Sequence, residues 1–412
     1  MSFAISRRKI LQMGAAGLAS ASLGGYSGLA LAAADPAPIT GRKLKIALSN
    51  SYIGNKWRIE MENVFKGALQ MEPYKSEIDG SWFNSGNDVS KQSQQIANLI
   101  AKRVDAILID AASPTGLNGV VKQATDRGIL VISFDNTVTA PSGLKVTTDE
   151  LHFGVLGAEW LAKKMNGKGN VIMVTGVAGT FDDSERNKGA DSVWAKYPDI
   201  KVVSRFTGMW DSATAERNTT AALPSLPQID GIWCQGGTDG VLKAFLAAKR
   251  KLPPTAGEAE NGFRKFMAGY NGQKVEGISI GEPPFSSAVA LELAHRILRG
   301  KYPRKDVVMG FPVVTSDDVK IGETAFPDLP DSFFADFTDS GDNAIIKICV
   351  DAAMDGKACP DRWRSICPPP DDQPHAGRGA QCFRACDRGY RTGQGIRRCR
   401  RARRRLLFGL SR

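Results

Sequence analysis

The sequence predicts an α/β protein built from two doubly wound parallel-sheet lobes. Three observations lead there. Short apolar runs alternate with helical stretches in units of about 25–30 residues, the spacing of βα repeats. Some runs, Asp105-Ala106-Ile107-Leu108-Ile109-Asp110 being the plainest, are continuously apolar between polar ends, as strands buried on both faces must be. The series of units runs twice, with a break near Lys145–Glu150, so that right-handed crossovers within each set give two lobes.

Taken in order, Lys43–Asn50 reads as the first strand and ends in polar residues. A helix follows from Trp57 to Gln70, then a strand over Ile78–Phe83. Ser90–Lys102 is helical, with Ile96, Leu99 and Ile100 on one face. After the strand at Asp105–Asp110 comes a helix, Leu117–Arg127, closed by Gly128. The strand Ile129–Phe134 then runs into Asp135-Asn136. The second set comprises helices over His152–Met165, Ser184–Tyr197, Ala213–Leu223 and Val241–Lys249. Its strands are Asn170–Gly176, Lys201–Phe206 and Gly231–Cys234. Beyond Ile278 the pattern predicts a helix over Ser286–Arg299 and a single strand over Val307–Thr315. A Pro-bearing loop over Phe326–Phe337 and a last helix over Asn343–Met354 complete it.

The 412 residues carry a formal net charge of +11, and that charge sits at the ends. Residues 1–34 contain Arg7, Arg8 and Lys9 and no acid, while residues 359–412 contain 14 Arg and 4 Asp. What remains is nearly neutral, which removes the case for a nucleic-acid-binding core. The basic start, a weakly apolar Gly/Ala stretch and Ala30-Leu31-Ala32-Ala33-Ala34 are the parts of an export signal, cut just before Asp35 or Ala33. The paired arginines suggest the twin-arginine route; an ordinary secretory signal is the alternative. No later run of 18 apolar residues occurs, so the mature chain is not expected to span a membrane. The tail from Cys359 has no Lys, Val, Glu or Met. That composition suits either a frame-shifted reading of GC-rich DNA or a disordered basic extension. Five of the seven cysteines lie there; Cys234 and Cys349, in apolar contexts, read as buried free thiols.

Ligands of open parallel sheets bind beyond the carboxyl ends of the strands. The candidates are therefore Asn50, Asn55, Trp57 and Arg58 after the first strand, and Asp135 and Asn136 after the strand ending at Phe134. In the second set they are Arg186, Trp210, Gln235 and Asn261. Carboxylates, amides and guanidiniums accept from and donate to hydroxyl groups, and indole rings cover C–H faces, so the set suits a polyol. Each has a plainer reading. Trp57 could be core, Asp135 a turn residue, Arg186 the partner of Asp182 or Asp183, Asp211 an N-cap with Trp210 as its staple, and Asn261-Gly262 a turn. The three histidines are scattered, and the core has no His-x-x-x-His, Gly-x-Ser-x-Gly or Gly-x-Gly-x-x-Gly opening a helix. No catalytic residue, metal or cofactor is predicted.

From about Lys43 to Val319 the chain resembles the ribose-binding-like periplasmic proteins, the sugar-binding components of ABC importers. In the first lobe the resemblance rests on Gly54-Asn55-Lys56-Trp57-Arg58, Lys91-Gln92-Ser93-Gln94-Gln95-Ile96, Val104-Asp105-Ala106-Ile107 and Ala124-x-x-x-Gly128-Ile129-x-Val131. In the second it rests on Gly167-Lys168-Gly169-Asn170-Val171, Arg186-x-x-Gly189, Asp230-Gly231-Ile232-Trp233, Gly257–Phe263 and Phe311-Pro312-Val313-Val314-Thr315. It implies a type I periplasmic-binding-protein-like fold with three crossings, near Thr148, Gly281 and Pro312. The implied domains are a signal peptide (1–34), a first lobe (41–148 with 282–312) and a second lobe (149–281 with 313–325). A C-terminal extension with a helix (326–358) and the Arg/Cys-rich tail (359–412) follow. It also implies a sugar sandwiched between Trp57 and Trp210 and held by Asp135 and Arg186. Asn136 stands where the family often has Arg, Gly236-Gly237 where it usually has Asn-Asp, Asn261 at the late Asp and Gly281-Glu282 near the late Gln. These departures suggest fewer charged contacts than in ribose binders. The expected function is capture of a monosaccharide or similar polyol by a periplasmic monomer that delivers it to a membrane permease, without catalysis. A sensory sugar receptor and an exported sugar-modifying enzyme are the alternatives.

Overall fold

The computed structural model describes residues 37–301, 304 and 306–334, all in one compact unit that begins at Ala37. The export signal, Cys349, the helix expected over 343–354 and the Arg-rich tail lie outside the described residues. In the first lobe, β1 (Leu44–Asn50), β2 (Ile78–Asn84), β3 (Ala106–Asp110), β4 (Leu130–Phe134) and β5 (Leu144–Thr147) form a parallel sheet in the order β2-β1-β3-β4-β5. They are linked by α1 (Lys56–Ala68), α2 (Tyr74–Glu77), α3 (Val89–Ala101) and α4 (Asn118–Asp126). In the second lobe, β6 (Gly169–Thr175), β7 (Ile200–Thr207), β8 (Gly231–Cys234), β9 (Thr255–Glu258) and β10 (Gly277–Ile280) follow the same winding, β7-β6-β8-β9-β10. Its helices are α5 (Glu150–Lys164), α6 (Phe181–Trp194), α7 (Ser212–Ala222), α8 (Thr238–Ala247) and α9 (Asn261–Met267). No helix among the described residues is long and apolar enough to cross a membrane.

The pleat explains why both faces are covered. Ile46 and Leu48 of β1 and Leu108 of β3 point into a cluster with Met61 and Phe65 of α1. Their neighbours Ala47, Ile107 and Ile109 point the other way, to Ile96, Leu99 and Val121. The second lobe repeats this, with Val171 and Met173 on one face and Ile172 and Val174 on the other. Each buried Val, Leu, Ile or Met among them contributes about 1.5–3 kcal/mol by leaving water.

The chain passes between lobes three times: from β5 into α5, from β10 into α10 (Ser286–Leu298), and from β11 (Val307–Val308) to β12 (Val313–Thr315). The single strand expected over Val307–Thr315 is thus two strands in different sheets, interrupted at Gly310 and Pro312. β11 extends the first sheet beyond β5, and β12 lies antiparallel to β10. Pro312 O accepts from Gly281 N at 2.7 Å, so the chain re-enters the second lobe where β10 leaves it and must run back along that strand.

Several helices begin earlier than the apolar periodicity indicates, because a polar side chain caps them first. Asp149 accepts from His152 N and Thr180 from Asp183 N, which start α5 at Glu150 and α6 at Phe181. α5 and α6 then approach so closely that a Cβ on Gly154 would lie 2.0 Å from Arg186 O, and one on Gly189 2.1 Å from Leu151 O. Past β12 the chain returns across both lobes. Asp331 O and Phe333 O accept from Gly262 N and Asn261 N. Phe334 is buried in the first-lobe core and its N–H donates to Glu60.

Candidate ligand-binding cleft

The carboxyl ends of both sheets face one narrow cleft, with about 20 Å³ of free space, lined by Asn55, Trp57, Arg58, Asp135, Asp182, Arg186, Trp210, Glu258 and Glu282. Six of the ten residues expected there line it. Asn55 caps α1, its Oδ1 accepting from Arg58 N at 2.9 Å, and this turn presents Trp57 and Arg58 to the cleft. Trp57 Nε1 donates to Glu282 O at 2.7 Å, joining α1 to the crossing after β10. Arg58 is buried, with its guanidinium on Asp110 and Asp135 and 5.4 Å from the centre of the Trp57 ring.

From the second lobe, Arg186 is held by Glu150 at 2.5 Å, Glu258 at 3.1 Å and Glu282 at 3.4 Å, with Phe153 across its planar face at 4.0 Å. Its partners are therefore not the neighbouring Asp182 or Asp183. Trp210 sits against Gly176, where a Cβ would come within 2.1 Å of the indole. Asp211 is indeed the N-cap of α7, but Trp210 faces the cleft beside it. Asp135, Met209 and Trp210 all have φ between 52° and 57°, a conformation costly for side chains with a Cβ. The packing around the cleft holds them there.

Three of the remaining four stand behind this lining. Asn50 Oδ1 accepts from Arg58 at 3.3 Å. Asn136 donates to Asp135 at 2.8 Å and accepts from Asp182 N at 3.3 Å, a direct bond between the lobes. Gln235 accepts from Trp210 Nε1 and donates to Asp183 O, both at 3.3 Å. Asn261 is a correction. It opens α9, and its side chain is committed to the chain end: Nδ2 faces the carbonyls of Phe326, Leu329 and Pro330, and Oδ1 accepts from Phe326 N.

Asp182, Glu258 and Glu282 also join the lining, three carboxyl groups beyond those picked out from the sequence. β9 and β10 are four-residue strands with one Gly each, too short and too polar to register as apolar runs. Had they been recognised, the rule of carboxyl ends would have selected Glu258 and Glu282, which end or follow them. Asp182 lies in the first turn of α6, hidden by its place beside the cap.

Burial dominates the electrostatics. It lowers the Arg58 guanidinium, an effect that Asp135 and Asp182 oppose. Burial acts the same way on Arg186, but Glu150, Glu258 and Glu282 together outweigh it and hold the proton firmly. Asp182 is pushed up by burial and then by Asp135 and Glu150. Glu258 rises through burial, with Glu260 adding to it, and Glu282 through burial and Glu150. Among the described residues, no three of these carboxylates converge as the ligands of a metal ion would.

A family description of the periplasmic binding protein domain matches residues 46–302. The chain belongs to that family. It is 29% identical over 266 residues to a xylitol-binding protein of Mycolicibacterium smegmatis, covering 63% of this chain and 75% of that protein. It is 22% identical over 271 residues to the ribose import binding protein of Bacillus subtilis, covering 65% and 85%. Among solved structures, an ABC transporter solute binding protein from Thermobispora bispora superimposes with a TM-score of 0.66 at 29% identity, over 77% of this chain and all of that one. The two-lobed fold expected from the βα repeats is thus the fold of the periplasmic binding proteins, and these relatives are binding proteins rather than enzymes.

Proposed function

We propose that this protein captures a monosaccharide or similar polyol by closing its two lobes and delivers it to the permease of an ABC importer. The observation that carries the reading is the make-up of one cleft. Trp57, Arg58 and Asp135 enter from the first lobe, and Asp182, Arg186 and Trp210 from the second. Each half-site alone offers a ligand one wall, so contacts with both favour the closed form. The walls leave only about 20 Å³ of free space, room for about one water, so on this reading the lobes part to admit the ligand and close around it. Hydrogen bonds to charged groups contribute about 1.5–3 kcal/mol each, and a few of them offset the cost of association to leave micromolar affinity. The xylitol- and ribose-binding relatives support that ligand class.

The same reading assigns residues 1–34 to export into the periplasm, residues 41–148 with 282–312 to one lobe and 149–281 with 313–325 to the other. It makes the protein a monomer that releases its ligand unchanged. The test is thermal melting of the purified protein with pentoses, hexoses, alditols and cyclitols. A bound polyol raises the midpoint, and Asp135→Ala abolishes the rise. If no polyol raises it, the reading fails.

A further inference from the structure

We propose that the ligand is a polyol bearing one protonated amine, such as an amino sugar or aminocyclitol, and that its ammonium pairs with Asp182. The inference rests on the polyol reading of the cleft and narrows it. It comes from a charge imbalance in a closed space. Arg58 faces Asp110 and Asp135. Arg186 faces Glu150, Glu258 and Glu282. With Asp182, two guanidiniums meet six carboxyl groups, all of them buried. No guanidinium is paired with Asp182, and its Oδ1 is buried and without a hydrogen-bond partner; Glu282 Oε1 is in the same state.

A buried carboxylate without a donor is costly, and a net negative cluster more so. A neutral polyol can supply hydroxyl donors but brings no positive charge against which the raised Asp182 could ionise. An ammonium supplies three donors and a positive charge at once. A metal ion would need several ligands converging on one point, which the described residues do not provide. Trp57 and Trp210 add ring faces at the same cleft, the surroundings that suit an organic cation.

The burial that raises Asp182, Glu258 and Glu282 gives the pH dependence its sign. Asp182 is also pushed up by Asp135 and Glu150 and held down by Arg186 and Arg58. Below its raised value it is neutral and offers an ammonium little; as pH rises through that value it ionises and the pair forms. An amine-bearing ligand therefore gains affinity as pH rises through that value, whereas a neutral polyol needs no ionised Asp182.

The experiment is isothermal titration of the purified protein with matched pairs: glucosamine and glucose, galactosamine and galactose, an inosamine and inositol. Each amine is also run in its N-acetylated form, with ethanolamine as an amine lacking the ring. At least one amine is expected to bind about tenfold or more tightly than its neutral twin, with acetylation removing the gain. As pH rises through the raised value of Asp182 that ratio should grow, and Asp182→Asn should bring it close to one. The pH series uses the unaltered protein, so it decides the matter even if the variant does not fold. Neutral polyols binding as tightly as their amines would overturn this inference and leave the polyol reading standing. If none of the ring compounds binds, or ethanolamine binds as tightly as the amino sugars, both fall.

Discussion

The indole N–H of Trp57 donates to the main-chain oxygen of Glu282 at 2.7 Å, tying the first turn of α1 to a crossing between the lobes. Trp57 therefore both walls the cleft and fixes the chain on which Glu282 is carried. Trp57→Phe keeps a ring but loses the bond, and ligand affinity is expected to weaken by about 3- to 10-fold. Trp57→Ala removes the wall as well, with an expected loss of about a hundredfold or more. Calorimetric titration measures both; equal affinities for Phe and Trp would show that the bond plays no part in holding the bound state.

Arg186 is the single cation among Glu150, Glu258 and Glu282, so Arg186→Met leaves buried carboxylates without their partner. The expected loss of stability is about 3–5 kcal/mol at neutral pH, measured by urea unfolding. Glu258 and Glu282 already bind protons more tightly than free carboxyls, because burial disfavours their charge. The variant should therefore recover part of the loss as pH falls through their raised values and they become neutral. A pH-independent loss would mean that lost packing against Phe153 is what matters.

Glu260 is pushed up to about 7 by burial and by Asp239. A carboxyl whose folded pKa exceeds its unfolded value of 4.5 stabilises the fold fully below 4.5, and that contribution is lost as pH rises to about 7. Glu260→Gln keeps an oxygen for the Gly237 N–H but cannot ionise. The variant is expected to be more stable than the parent by about 1–3 kcal/mol near pH 8 and no more stable near pH 4, in denaturant titrations.

At the α5–α6 crossing, Gly189→Ala would place its methyl on Leu151 O. The helices must separate, at a cost of about 1–3 kcal/mol or more. Arg186, one turn away, would then lose its alignment with Glu150. A lowered melting midpoint together with weakened ligand binding is expected. Ordinary affinity in a destabilised variant would show that the crossing supports the lobe and not the site.

Asn261→Ala separates a role at the chain end from a role in the cleft. Its side chain holds the carbonyls of Phe326, Leu329 and Pro330. Limited proteolysis should then cut within 326–334, which the parent resists, while ligand affinity changes less than about threefold. Lost binding with an uncut segment would restore Asn261 to the cleft.

How much of this was legible follows from what each residue does. Ile107, Leu108 and Ile109 are buried on both faces, so a bare apolar run announced β3 and, through it, the end where Asp135 sits. Trp57, Arg58, Arg186 and Trp210 follow strands long enough to be seen. β9 and β10 escaped notice because they pack closely against Thr238 and Phe263 with Gly257 and Gly277 in place of side chains. Glu258 was hidden with β9, and Glu282 was indicated only by the resemblance, near the late Gln. Asn261 misled because an amide that binds a loop and one that binds a ligand look alike in sequence; only the carbonyls around it distinguish them.

The segment 326–334 has a mechanical meaning. Phe334 is anchored in one half of the protein, while Asp331 and Phe333 are fastened to the other half beside it. Any gaping of the molecule must pay out slack from this short strap or unseat the phenyl ring. Separation of the halves is thus coupled to a stretch of chain that does not line the cleft.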